Sequence, residues 1–188
     1  YDILDRHQLE LIADNCDSLG SKYDGKYLTD RAVAASCSFY PAHHLCTIEG
    51  GMVSSNIKGV VDLARSFAWW GRGCYCVGQQ NLLPNGVCGK RFDKWLDKYD
   101  DIVDHKYVFS NMGYNLKPLD LQGAVGSVQL LKFEEIHDKR RRNKWRIQQI
   151  VESIPGTRVI NEMPNAETSW FGVPILCENK KLKHSLVR

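Results

Sequence analysis

The stretch LELIADNCDSLG, Leu9 to Gly20, constrains the fold most: a short apolar run from Leu9 to Ile12 breaks into polar residues and stops at a glycine. A strand that feeds a polar loop is the place where open α/β sheets hold ligands. Upstream, the first residues predict a short amphipathic helix. Two further runs, ASCSFY (35–40) and GMVSSN (51–56), predict strands on either side of a Glu-Gly-Gly turn. GVVDLARSFAWW, Gly59 to Trp70, has helical apolar spacing and stops at Gly-Arg-Gly. Residues 73–106 are loop-rich. From Pro118 to about Ile154 the pattern is helical, first apolar and then heavily charged, which fits two helices or one bent helix. After Pro155-Gly156, TRVINE and SWFGVPIL predict short strands and the start of a smaller α+β domain.

Composition sets bounds on function. A chain of 188 residues, 43% hydrophobic and 25% charged, is long enough to bury a core as one domain or slightly more. Its net charge of +3 is too small to point to nucleic acid. The basic run DKRRRNKWR, Asp138 to Arg146, could hold phosphates, but on a helix such a run is usually a solvated face, and no nucleic-acid partner is expected. The apolar runs are too short to span a membrane and the start is unlike a signal peptide, so the expected compartment is the cytoplasm. Tyr1 and Arg188 do not look like natural ends, and a fragment is expected. Seven cysteines, an odd count without a secretion signal, predict buried thiols or metal ligands rather than disulfides.

Three groups of residues could carry chemistry. Asp14 and Asp17 follow the first strand, where a carboxylate either holds a proton on a cofactor ring nitrogen or caps the next turn. His43 and His44 lie between a Tyr-Pro corner and the glycine turn; each is either a proton acceptor or metal ligand, or a surface or core histidine. Cys74 and Cys76 form a Cys-x-Cys pair, Cys16 precedes it by 57 intervening residues and Cys88 follows by eleven. Four thiolates could bind a two-iron, two-sulfur cluster or structural zinc, or the cysteines are ordinary thiols.

DNCDSLG, SFYPAHHLCTIEGG, WGRGCYC, CGKRFD, DHKY and GYNLKPLDLQGAVGSVQL, in that order, resemble the DegT/DnrJ/EryC1/StrS sugar aminotransferase family. Within it the likeness is to the sugar 3-dehydrases of the CDP-6-deoxy-L-threo-D-glycero-4-hexulose type, which serve lipopolysaccharide and ascarylose synthesis. The resemblance covers nearly the whole chain. It implies an α/β fold of the aspartate aminotransferase type (fold type I pyridoxal phosphate-dependent transferases). Residues 1–117 would be the latter part of the cofactor-binding large domain, 118–154 connecting helices, and 155–188 the beginning of the small C-terminal domain.

The same resemblance implies site roles. His43, five residues after Ser38, stands where the aminotransferases carry the lysine that binds pyridoxal phosphate covalently. An imidazole has no primary amine, so the implied cofactor is pyridoxamine 5'-phosphate, held without a covalent link, with His43 as the base. Asp14 matches the partner of the ring nitrogen, and Asp17 a ring neighbour that favours dehydration over transamination. Tyr40 matches a tyrosine close to the substrate, Ser38 a phosphate ligand, and Asn115 an asparagine that reaches the phosphate of the neighbouring subunit, which implies a homodimer. Cys16, Cys74, Cys76 and Cys88 match the ligands of a [2Fe-2S] cluster, although the loop between the last two is longer here. The implied reaction is C-3 deoxygenation of a CDP-linked 4-keto-6-deoxyhexose, with a reductase feeding electrons through the cluster. Departures include Ala13, Ile48 and Gly73, and YLTDRAVAASC lacks the glycine-aspartate usual before the catalytic strand. The alternatives are a cluster-free dehydratase or aminotransferase of the same family and, from another class, a zinc-stabilised binding module.

Overall fold

A computed structural model describes residues 2–74, 90–94 and 96–187. The chain divides into two compact units, Tyr1–Met52 with Asp120–Arg188, and Val53–Leu119. In the first unit, helix α1 (Asp2–His7) closes at Gln8, whose φ of +51° is left-handed. The N–H of Leu9 bonds back to the Leu4 carbonyl. The apolar run at Leu9 is therefore the exit from a helix, and strand β1 forms three residues later, at Ile12–Asp14.

Strand β1 lies parallel to β4 (Ala34–Ser38) with Asp14 opposite Ser36, and β5 (Gly51–Ser54) completes the sheet in the order β1-β4-β5. Along β4, Ala35 and Cys37 point into the core while Ser36 and Ser38 turn the other way, the period-two alternation of a pleated strand. The strand stops at Ser38, short of the expected Tyr40. Phe39 bonds to the Gly50 carbonyl, and the N–H of His43 closes a turn on the Tyr40 carbonyl.

Between β1 and β4 runs a hairpin of β2 (Lys22–Tyr23) and β3 (Lys26–Tyr27), not expected above. Asp24 (φ +48°) and Gly25 (φ +74°) are both left-handed, as a two-residue type I′ turn requires. Strand β2 also pairs with β7 (Ala166–Glu167), which ties the latter part of the chain to the loop after β1. Gly20 (φ +87°) is left-handed, and a Cβ there would stand 2.5 Å from the Phe133 ring, so any other residue is strained and must displace that ring.

The helical region is two helices, α3 (Asp120–Leu130) and α4 (Phe133–Glu152), in the same unit. The basic run on α4 is only partly a solvated face. Lys139, Arg142 and Arg146 are exposed, but His137 and Lys144 are buried and Arg140 and Arg141 half-buried, the three-and-four spacing of one inward stripe. Strands β6 (Thr157–Val159) and β8 (Ile175–Cys177) pair antiparallel under α4, with Val151 and Val159 buried, and α5 (Lys180–Val187) ends the described chain. Of SWFGVPIL only the end is strand; Ser169 to Phe171 form an irregular strap.

In the second unit, α2 (Lys58–Ala68) ends at Trp70 and Gly71, both left-handed. Gly71 and Gly113 cross so closely that a Cβ on Gly71 would lie 1.8 Å from the Asn111 carbonyl oxygen. Asn115 bridges Trp69 beside this crossing, and Arg91 pairs with Asp104 ahead of a 3-10 turn at His105–Tyr107.

Candidate active site

The parallel register places Asp14 and Ser36 side by side at the carboxyl end of the sheet. One Asp14 carboxylate oxygen, Oδ1, accepts from the Ser36 hydroxyl (3.1 Å) and from the backbone N–H of Cys16 (3.1 Å). With the Cys16 thiol beside it as the strongest contribution, these donors hold the Asp14 carboxyl below its usual range. The Asp14 side chain is thus an exposed, ionised carboxylate at the end of the sheet. The same contact raises the Cys16 thiol above its usual range, because a thiolate would face the carboxylate; Cys16 Sγ also lies 3.9 Å from the Ser36 hydroxyl.

The Tyr40–His43 turn brings His43 back over this loop. Its Nδ1 lies 2.8 Å from the Cys16 carbonyl oxygen and 3.2 Å from Asp17 Oδ1. A carbonyl only accepts, so Nδ1 carries the hydrogen; in the neutral ring Nε2 then holds the lone pair. No described residue bonds Nε2. The ring is 16% exposed, packed near Tyr40 (centroids 6.0 Å apart, edge-on) and Phe171 (5.2 Å). An imidazole oriented through one nitrogen by a carbonyl and a carboxylate, with the other nitrogen open, is arranged to accept a proton.

His44 faces the opposite way. It is buried, its Nε2 lies 3.2 Å from the Ser169 carbonyl oxygen, and burial, reinforced by the nearby Arg140 charge, pushes its pKa down. Ser169 is in turn held by Ser21 through its N–H (3.0 Å) and its hydroxyl (3.0 Å).

Asp14, Cys16, Asp17, Ser38, Tyr40 and His43 thus gather in one unit. Ser38 ends β4 with its oxygen accepting from the Tyr40 N–H (3.2 Å), leaving its hydroxyl hydrogen to donate. Asn115, exposed, and Cys74, buried, belong to the other unit. Cys76 and Cys88 lie outside the described residues, and among the described residues no cluster of three or more histidine, cysteine or acidic side chains could hold a metal ion. Among the described residues no helix is long and apolar enough to cross a membrane. Three contributors were not expected: Ser36, Phe171 and Arg140. Ser36 follows from the alternation of β4 once Asp14 is placed; Phe171 and Arg140 come from distant segments, and only tertiary packing brings them here.

The profile of the DegT/DnrJ/EryC1/StrS aminotransferase family matches residues 1–188. Over 178 residues the chain is 40% identical to a dTDP-4-dehydro-2,6-dideoxy-D-glucose 3-dehydratase of Saccharopolyspora spinosa, covering 93% of this chain and 37% of the relative. It is also 40% identical over 178 residues to the lipopolysaccharide biosynthesis protein RfbH of Salmonella typhimurium, covering 92% of this chain and 39% of that one. Among solved structures it is similar to the Escherichia coli GDP-4-keto-6-deoxy-D-mannose-3-dehydratase with bound hydrated PLP, at a TM-score of 0.75 and 25% identity, covering 99% of this chain and 45% of that one. The chain spans about two fifths of the length of the curated relatives it matches. Its fold is the α/β fold of the pyridoxal phosphate-dependent aminotransferases, and the chain belongs to the DegT/DnrJ/EryC1/StrS aminotransferase family.

Proposed function

We propose that the chain is part of a pyridoxamine phosphate-dependent nucleotide-sugar 3-dehydrase that removes the C-3 hydroxyl of a 4-keto-6-deoxyhexose. In this reading residues 1–117 belong to the large domain, 118–154 connect, and 155–188 begin the small domain of a cytoplasmic homodimer. The observation that carries the proposal is the geometry of His43, pinned through Nδ1 and open at Nε2; the sequence resemblance implies that it stands at the covalent-lysine position. Such a residue exchanges protons but makes no covalent link to an aldehyde.

The residues fit the cofactor. Asp14 is an exposed, ionised carboxylate at the end of a sheet, suited to hold the proton on a ring nitrogen, and Ser38 has a hydroxyl hydrogen to give a phosphate. Bound pyridoxamine phosphate would supply an amine for the sugar ketone and a ring that withdraws electrons. His43 then accepts a proton at Nε2, Asp17 steadies the charge that develops on the imidazole, and Tyr40 lines the side where the sugar lies. Asn115 serves the phosphate of the neighbouring subunit.

In the same reading Cys16, Cys74, Cys76 and Cys88 hold a [2Fe-2S] cluster, which would supply single electrons from a partner reductase. The CDP nucleotide comes from the sequence resemblance; the relatives above are named for dTDP- and GDP-sugars. A cluster-free dehydratase of the same family is the second reading. Absorption spectra of full-length protein purified with and without air, with iron, zinc and sulfide assays, separate them. Broad visible absorption with about two iron and two sulfide per chain supports the cluster; a pyridoxamine band without iron supports the cluster-free enzyme. Zinc without the vitamin overturns both.

A further inference from the structure

The Thr168–Phe171 strap is gripped from two sides. Strand β7, paired with β2, delivers it. From below, Ser21 and His44 hold Ser169. From above come consecutive arginines of α4. Arg141 donates to the Thr168 carbonyl (2.9 Å) while its charge is met by Glu162, also at 2.9 Å. Arg140 differs: among the described residues no carboxylate lies within ion-pair distance of it. Its Nη1 donates to the carbonyls of Trp170 (3.2 Å) and Phe171 (3.1 Å), and its Nη2 to the carbonyl of His43 (3.1 Å).

One planar guanidinium therefore joins the backbone of the candidate base to the backbone of the strap whose Phe171 ring lies against that base. A lysine has no fork and cannot span the two carbonyl directions at once. Hydrogen bonds from a charged donor are the stronger class, and here three converge on two segments that also meet through the His44–Ser169 bond and the His43–Phe171 ring contact.

Resting on the dehydrase reading, we propose that Arg140 is a positioning residue for His43: by clamping the carbonyls of His43, Trp170 and Phe171 it fixes the imidazole with Nδ1 toward Cys16 and Asp17 and Nε2 toward the reacting atoms. The residue acts through His43 and touches neither cofactor nor substrate.

The test uses the full-length enzyme with R140M, which keeps the stem, R140K, which keeps the charge, and H43N. The expected result for R140M is a kcat lower by about tenfold or more with KM for the nucleotide sugar within about twofold, since a misplaced group loses rate without losing substrate contacts. R140K falls in the same direction, and millimolar methylguanidinium restores part of the rate of R140A. In an H43N background R140M costs less than about twofold further, because the arginine acts through a side chain already removed. Nitrogen-15 NMR of the His43 ring reads the position without turnover: in the neutral ring wild type shows hydrogen on Nδ1 alone, and R140M shows both tautomers. That spectrum decides where H43N is too slow to measure, or where R140M is misfolded and R140K is used instead. Equal losses in the wild-type and H43N backgrounds, a KM effect without a kcat effect, or an unchanged His43 spectrum would overturn the proposal. Full activity in H43N sinks the dehydrase reading instead, and leaves the NMR result to judge Arg140.

Discussion

The Tyr40–Leu45 turn has two sides, and adjacent histidines occupy them. On the loop side His43 is partly exposed, oriented by Cys16 and Asp17, with one nitrogen open. On the interior side His44 is buried and spends its one bonded nitrogen on the Ser169 carbonyl. The residue type is the same and so is the chain position to within one step; surroundings alone separate a group suited to proton transfer from one that holds the fold. In an extended or turning backbone neighbouring side chains point apart, so a His-His pair is read one residue at a time.

The comparison is broken most directly by exchanging the two losses. His43→Asn in full-length protein is expected to lower dehydration by about 10²–10⁴-fold, the usual worth of a positioned acid–base group, while unfolding free energy stays within about 1 kcal/mol. His44→Ala is expected to do the reverse. It leaves the buried Ser169 carbonyl without its donor and costs about 1–3 kcal/mol in urea denaturation, with a much smaller rate loss per folded molecule. If both variants lose rate and stability alike, the two sides are not distinct.

Acidity sharpens the same contrast. Burial holds His44 neutral below the ordinary value of 6.5, so as pH falls the unfolded chain takes up the proton before the folded one does. Stability is complete above that value and declines beneath it. The urea midpoint should therefore drop as pH falls below about 6.5, and His44→Gln should flatten that drop; an equal slope in the variant places the sensitivity elsewhere.

A smaller effect concerns the thiols beneath the loop side. Burial pushes Cys37 up to about 11, whereas Cys16 lies half-exposed at the mouth of the sheet. In metal-free protein at pH 8, a thiol reagent should label Cys16 well before Cys37, as thiolate fraction and access both require. Equal rates, read by peptide mass spectrometry, would mean that the β4 face is open.

Much of this was legible in the residues. The strand-to-loop position of Asp14 and Asp17, the helical spacing of Gly59–Trp70 and the helical pattern after Pro118 rest on local periodicity, and local periodicity survived folding; that the last is two helices rather than one bent helix is left open by the pattern. The placement of β1 did not follow from it, because the left-handed Gln8 lets the chain leave a helix through the apolar Leu9. The Lys22–Tyr27 hairpin carried a readable signal, Asp-Gly at its centre, that the surrounding lysines and tyrosines obscured. Arg140 had none that could be separated from its neighbours: in DKRRRNKWR every basic residue looks solvated, and only the inward stripe from His137 through Arg140 and Lys144 to Val151 sorts them. Charge predicts exposure on average, whereas the helix face decides it residue by residue.

The central claim is that His43 moves the proton. It is tested most directly by loading full-length protein with pyridoxamine phosphate tritiated on its methylene carbon, adding the nucleotide sugar, and following tritium release. Wild type is predicted to release the label and His43→Asn to retain it while binding cofactor equally well; release at the wild-type rate from His43→Asn would contradict the account.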